Sequence, residues 1–560
     1  MIRPSLAALA MSCAACFAAP ALADTLVYDV DGITIDEAGE VKRFTALVYD
    51  DDGVITQTLE RGEDRPEDIE FAMDGKGQIM LPGMIDAHVH VMDIGFAALT
   101  LDLSDTDSLS EALDKIARFA ADNPGRPWIL GRGWNQEKWG LGRFPTAAEL
   151  DAIVPDRPVW LERADNHAHW ANSLAMQQAG IGADTSDPEG GRIVRDAQGN
   201  PSGIFVDRAS ALVGEFVPAP RPEDRDAAFA MAQQRLLANG VTAVADMGTP
   251  LIDWMTFRRA GDEGRLRIRI MAYASSPEAM ELIGGTGPTP WLYEDRLRLN
   301  GIKLFVDGAL GSRGATLKEP YEDEPTTRGI PLITQTQLRN RMSRAALDGF
   351  QTAIHAIGDA ANADVLDAID ELASAYEGDR RWRIEHAQIV DPADLARFGR
   401  HGTIASMQPL HQTSDMFMAE ARVGEDRLGG AYAWRSILEN GGRLAFGSDA
   451  PVEPADPFAG IAVAISRTDA EGRPFGGWRA REAVSREQAL AGFTADAAYA
   501  GFAEGRFGRL IPGERADFLF VDRDPLLAAP SDIRETRVRE VWLAGKRVFV
   551  RGQQAEPVAD

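Results

Sequence analysis

Hydrophobic and polar positions alternate with a period of two near both ends of the chain. On the N-terminal side, FTALVY (44–49) runs into the turn residues DDDG (50–53), and residues 25–80 are short β-rich runs broken by turns. On the C-terminal side, ADFLFVD (516–522) and VREVWLAGKRVFVRG (538–552) alternate in the same way, with Ala544-Gly545 as a hairpin turn. Two β-rich ends around a long middle predict one small β-sandwich built from residues 24–80 and 500–560.

The middle has a different rhythm. Apolar runs of strand length alternate with amphipathic helical stretches, the pattern of βα units and a parallel sheet. Eight runs qualify: MIDAHVH (84–90), VTAVADMG (241–248), RIRIMAYA (267–274), GIKLFVDG (301–308), TAIHAIG (352–358), RIEHAQ (383–388), TIASMQ (403–408) and RLAFGSD (443–449). Eight parallel strands with intervening helices suit a closed (β/α)8 TIM barrel, an α/β fold, over residues 81–499. The interval between the first two runs is far longer than one crossover helix needs. It predicts an α/β insertion over residues 100–235, carrying GRGWNQEKW (131–139) and RADNHAHWANS (163–173). At 560 residues the chain is too long for a single core, which agrees with this division.

The first residues read as an address. Arg3 supplies a short basic region, Leu6 to Phe17 is a small-apolar run, and Ala21-Leu22-Ala23 fits a cleavage site. The expectation is a signal peptide over 1–23, cut after Ala23, and a periplasmic or secreted product. No later run approaches ~18 uninterrupted apolar residues, so no membrane association is expected once the signal is removed. Cys13 and Cys16 both fall inside this segment, leaving no thiol for disulfides, catalysis or metal ligation. Cys13 also stands where a lipoprotein signal ending at Cys16 needs an aliphatic residue.

Charge narrows the partners. The formal net charge is -28, from 86 acidic and 58 basic residues. Phosphate backbones and anionic membranes need clustered Lys and Arg, so nucleic acid is excluded and the expected partner is a small-molecule substrate. A homodimer is the one further association considered.

Histidine is scarce, with eight in the chain, yet several fall at predicted strand ends. His88 and His90 are two apart, so on a strand both point to one face. His355 ends the fifth run, His386 the sixth and Asp449 the eighth, while Lys303 lies near the start of the fourth. Residues at the C-terminal ends of barrel strands converge on the mouth, where active sites are built. Neutral imidazoles with carboxylates suit Zn²⁺ or a similar divalent ion. A lone His-x-His is a weak sign; six such residues around one barrel mouth are a strong one.

LPGMIDAHVH, GIKLFVDGALGSRGA, IHAIGD, RIEHAQ and LAFGSDAPVE together resemble the amidohydrolase superfamily. GRGW near 131, GGRIVRDAQGNPSGIF (190–205) and SMQPLHQTSD (406–415) point to amidohydrolase family 3, the branch of N-substituted formamide deformylase-like proteins. The resemblance runs from residue 25 to 552. It implies that His88, His90 and Asp449 hold one divalent metal ion, and His355 and His386 a second, with Zn²⁺ the foremost choice. Lys303 would be carboxylated and bridge the two. The implied reaction is attack of metal-bound hydroxide on a C–N bond of a non-peptide amide or an N-acyl or N-formyl small molecule. Asp449 would serve as base and then acid, with His411 and His167 as further catalytic candidates. Asp307, Arg313 and Trp134 are candidates for binding substrate, and Trp139 for lining an apolar pocket; His169 and His401 read as structural or surface residues. The same metal site also serves ester hydrolysis, deamination or isomerisation, and a non-catalytic exported binding or regulatory protein is the remaining alternative.

Overall fold

The computed structural model describes residues 24–553 apart from 137, 165–167 and 189–190. The expected signal segment with its two cysteines, and the candidate His167, lie outside the described residues. Among the described residues, no helix is long and apolar enough to cross a membrane.

The eight runs form eight strands of one sheet: β1 (Met84–Val89), β2 (Val241–Thr249), β3 (Arg269–Ala274), β4 (Leu297–Phe305), β5 (Gln351–Ala356), β6 (Arg383–His386), β7 (Ile404–Met407) and β8 (Arg443–Phe446). Each pairs in parallel with the next in chain order. The ring closes just past the ends of β1 and β8. There Val89 bridges Ala450, the Asp449 N–H donates to the His88 carbonyl at 2.7 Å, and the His90 N–H donates to Ala450 at 2.9 Å. The fold is the expected α/β barrel of TIM type.

One register differs from expectation. β4 begins at Leu297, so Lys303 sits near its C-terminal end and not near its start. Arg296, Arg298 and Asn300 alternate with Leu297 and Leu299, and those polar positions disguise the first half of the strand. The correction puts Lys303 level with the other candidate ligands.

The helix Val91–Leu99 leaves β1 without a loop and packs on the helix Pro222–Ala238 that leads into β2. Gly95 makes this approach possible, since a Cβ there would lie 2.0 Å from the Ala228 carbonyl oxygen. Between these helices the chain builds a separate six-stranded sheet, in the order Gly191–Arg195, Pro201–Asp207, Ala168–Ala171, Val159–Arg163, Ile129–Trp134, Leu101–Asp102. Its core includes Trp134, Trp170, Leu150 and Ile204.

The two chain ends share one seven-stranded sheet, in the order Lys546–Val550, Val538–Leu543, Phe518–Val521, Ile69–Pro82, Asp24–Ile35, Val41–Tyr49, Ile55–Leu59. The sheet folds over on itself. Val54 bridges Arg515, and the Tyr49 ring meets Phe518 at 6.5 Å while its hydroxyl donates to Gly545. A core of Val27, Leu47, Met80, Phe518 and Phe520 lies between the two halves. Ala544 and Gly545 both have positive φ (47° and 69°), the conformation a two-residue hairpin turn requires. The strand Ile69–Pro82 continues almost directly into β1, and Arg269 of β3 makes a buried two-pronged ion pair with Asp517 (2.6 and 2.8 Å). The shared sheet is thereby fixed against the floor of the barrel.

Candidate active site

Beneath the mouth, a buried hydrogen-bonded group centred on Arg383 sits among apolar residues such as Ile85, Met247 and Met271. Arg383 donates to Glu385, to the Tyr273 hydroxyl, to Ser406 and to the Ala87 carbonyl. The Tyr273 hydroxyl in turn donates to Gln351. Glu385 is buried, which by itself raises a carboxyl pKa, but Arg383 and the hydrogen bond from His88 hold it far below the usual range. Being ionised, it accepts from Nδ1–H of His88 at 2.7 Å, and this tautomer turns the Nε2 lone pair of His88 into the mouth. His386 is set in the same way. Its Nδ1 lies 2.9 Å from Gln408 Oε1, which leaves Nε2 unengaged by Gln408.

Strand alternation alone would turn His386 away from Glu385. It does not, because His386 and Ala387 both take left-handed φ (75° and 43°), so neighbouring residues serve the site together. Asp449 has the same strained backbone (φ 60°). It is reached through Gly447, where a Cβ would lie 2.6 Å from the His88 nitrogen and 2.7 Å from Asp86. Asp86 accepts from the backbone N–H of both His88 and Ser448, holding β1 against the turn after β8; burial raises its pKa to about 7.

These elements bring donor atoms of His88, His386 and Asp449 within 4.8 Å of one another. The grouping draws one imidazole from each half of the expected arrangement. Asp449 Oδ1 lies 3.1 Å from His90 Nε2 and 3.4 Å from His88 Nε2; its Oδ2 lies 3.6 Å from His411 Nε2. Burial opposes ionisation of Asp449, but His88, the hydrogen bond from His90, His386 and His411 together hold it well below the ordinary value. His355 packs edge-on against His386 with ring centroids 4.6 Å apart, and its buried Nε2 has no hydrogen-bond partner. Lys303 is buried, and its Nζ lies 3.1 Å from His88 Nε2 and over the Phe305 ring.

The donor set fits a divalent cation. Burial lowers the pKa of His88 to about 4 and of His355 to about 3, with the Lys303 charge adding to both, and holds His386 well below 6.5. Neutral imidazoles with free nitrogens, grouped around an ionised carboxylate, are metal-ligand chemistry. His88, His386 and Asp449 would hold the ion, with His90, His355 and Lys303 adjacent. Burial also brings Lys303 down to about 8.

The cluster opens into a cavity of about 400 Å³ whose wall includes Phe305, Leu310, Gln388, His411, Asp415 and Val452. His411 receives a hydrogen bond at Nδ1 from Gln388, and its Nε2 is buried with no hydrogen-bond partner.

Trp134, Asp307 and Arg313, the candidates for binding substrate, are not among the residues lining this cavity. Trp134 is wholly buried in the core of the insertion, its indole N–H donating to Leu161, because the row of apolar residues around it forms that sheet's core. Trp139 packs near it and bonds Thr106. Arg313 is tied to Asp323 by two hydrogen bonds and does not line the cavity. Asp307 is consumed by the backbone N–H groups of Thr316, Ile357 and Gly358, and so anchors the loop after β4 to the end of β5. His401 pairs with Asp370 on a helix of the barrel exterior. His169, read as structural, lines a second cavity beside the first.

Sequence reasoning missed Glu385, Arg383, Gln408 and Gln388. The signal was present: Arg383 and Glu385 are charged residues two apart on an otherwise apolar strand, the spacing that turns both toward the barrel interior.

An eight-stranded barrel with this buried donor set at its mouth defines a metal-dependent hydrolase. Residues 72–549 match the model of the amidohydrolase family, and the chain belongs to that family. It is 32% identical to the putative amidohydrolase YtcJ of Bacillus subtilis (strain 168), over 90% of this chain and 96% of that one. It is 29% identical to the N-substituted formamide deformylase of Arthrobacter pascens, over 88% and 91%. Among solved structures, an uncharacterized metal-dependent hydrolase from Pyrococcus horikoshii OT3 superposes with a TM-score of 0.76 at 27% identity, covering 91% of this chain and 99% of that one.

Proposed function

We propose that the protein hydrolyses a C–N bond of a non-peptide amide, the N-acyl or N-formyl group of a small molecule. The observation that carries this reading is Asp449. Its carboxylate is ionised, lies among four imidazoles and faces a cavity large enough for a small amide. The relative named N-substituted formamide deformylase acts, by its name, on a bond of this class.

A bound divalent cation supplies Lewis acidity toward the carbonyl and acidifies a coordinated water. The chain's own groups do the rest. Asp449 Oδ2, turned toward His411, takes the proton of the attacking water and returns it to the leaving nitrogen. With Nδ1 of His411 occupied by Gln388, its Nε2–H faces the cavity and donates to the oxygen that gains charge as the carbonyl carbon becomes tetrahedral. Phe305 and Leu310 keep one wall apolar, which lowers the local dielectric and strengthens each of these interactions. In this reading two ions, Zn²⁺ foremost, would be held by His88, His90, His355, His386 and Asp449, with Lys303, once carboxylated, as a further ligand. A signal over residues 1–23 would export the protein; N-terminal sequencing of the cell-derived product tests that part.

The test is Asp449→Asn, assayed against N-formyl, N-acyl and ester probes with metal content measured in parallel. Metal retained with hydrolysis reduced by about 10²-fold or more supports the reading. Undiminished hydrolysis rejects Asp449 as the proton carrier, and turnover of esters alone rejects the C–N assignment.

A further inference from the structure

Beside the metal cluster lies a second cavity, of about 660 Å³, between the mouth of the barrel and the face of the inserted sheet. His90 and Val452 line both cavities, so they meet at the metal cluster. Three neighbouring strands of the insertion present one row of side chains to this space. Arg132 is in register with Glu162 on the next strand, and Glu162 is in register with His169 on the third. Below that row Trp160 stacks flat on His169, with centroids 4.5 Å apart and planes 12° apart. His169 is held neutral: burial lowers it to about 4, and its Nδ1 is engaged by Ser210.

The row has an unusual property. Arg132 and Glu162 are opposite charges side by side on adjacent strands, yet among the described residues neither side chain makes a hydrogen bond or an ion pair. Glu162 is largely removed from solvent, which raises its pKa, and the nearby Asp93 raises it further against the pull of Arg132. Their backbones are neighbours across the sheet, about 4.8 Å apart, so the two side chains could satisfy each other if they turned together. Here they face the cavity separately, beside a flat aromatic floor.

Resting on the amide-hydrolase reading above, we propose that this second cavity is a subsite for a zwitterionic head group. The substrate would be an amino acid whose side chain carries the scissile N-acyl group at its far end. Arg132 takes the α-carboxylate, Glu162 with Asp93 takes the α-ammonium, and Trp160 and Leu130 cover the carbon chain that passes His90. A singly charged head group fits less well. A lone carboxylate on Arg132 is repelled by Glu162, and a lone ammonium on Glu162 is repelled by Arg132. In the reaction, water adds OH to the acyl carbon and hydrogen to the side-chain nitrogen as the C–N bond breaks. The products are a carboxylic acid and an amino acid with a free terminal amine.

Four probes of matched length test this: Nε-formyl-lysine, N-formyl-6-aminohexanoate, mono-N-formylcadaverine and N-formylpentylamine. The metal-loaded enzyme should show a kcat/KM for the zwitterion roughly tenfold or more above each singly charged probe, from one added charge-assisted contact, and further above formylpentylamine, from two. In Arg132→Leu the ratio of the zwitterion to the formylcadaverine should collapse toward one. In Glu162→Gln the ratio of the zwitterion to the formylaminohexanoate should do so. Equal kcat/KM across the four probes, or ratios unmoved by both substitutions, overturns the subsite while leaving the hydrolase intact. If no probe is hydrolysed, the N-formyl form of the amide reading fails, and calorimetry with free lysine still decides the subsite. Binding by the wild type that is lost in Arg132→Leu supports it, and absence of binding refutes it.

Discussion

Glu385 and His88 form a wholly buried pair, joined at 2.7 Å across the barrel from β6 to β1. Arg383 holds Glu385 in turn, so the orientation of the ligand nitrogen is set from the barrel floor upward. Carboxylates that hold a metal-ligating imidazole in this way tune its affinity as well as its direction.

Glu385→Gln tests this relay. The amide keeps the shape but lacks the charge that fixes the His88 tautomer. Metal affinity, measured by competition with a chelator, should fall by about 10–100-fold. An unchanged affinity would mean that His88 is oriented by packing alone.

Lys303 carries the second prediction. As an amine it donates toward the His88 nitrogen that a metal needs, and at a pKa of about 8 a useful fraction is neutral near physiological pH. Reconstitution with metal in bicarbonate should load about two ions per chain, against about one in CO₂-depleted buffer. Lys303→Met should give the lower stoichiometry in both. Equal loading by the wild type in the two buffers would argue against carboxylation.

A pH prediction follows from the buried imidazoles of the metal-free protein. Burial, and then the charge of Lys303, depress His355 to about 3 and His88 to about 4 from 6.5. Over that interval the unfolded chain binds protons that the folded chain refuses. Each histidine therefore contributes stability that is complete above pH 6.5 and is lost as pH falls toward its folded value. The difference in unfolding free energy between wild type and His355→Asn should shrink steadily as pH is lowered from about 7 to about 4. A constant difference would show that His355 titrates normally.

Trp134→Ala should act on folding and not on binding. Truncating a fully buried tryptophan costs about 3–5 kcal/mol, here read as faster hydrogen exchange in the inserted sheet. KM for a small neutral amide should stay within a factor of two or so, as it should in Arg313→Ala, whose guanidinium is spent on Asp323. A large rise in KM for either would return that residue to the substrate site.

The barrel and its donor residues were legible because both depend on period-two patterning. His88, His355, His386 and Asp449 terminate apolar runs, and apolar runs of strand length are what a parallel sheet requires. Lys303 was legible as a residue but not in its height, because alternating arginines hid half of β4. The placement of the substrate candidates away from the cavity was hidden for a different reason. Trp134, Asp307 and Arg313 were chosen by residue type near a motif, and type does not say whether a side chain faces a cavity or its own backbone. The row of Arg132, Glu162 and His169 was beyond reach for a related reason: it exists only in the register of three strands.

The hydrogen bonds that close the barrel, from Asp449 to His88 and from His90 to Ala450, join positions roughly 360 residues apart in the chain. The ring's last seam and the metal cluster are the same place. A ribosome that has finished everything up to β7 has made most of a hydrolase and none of its activity. Turnover is thus a report on barrel closure, withheld until the last strand of the barrel closes beside the first.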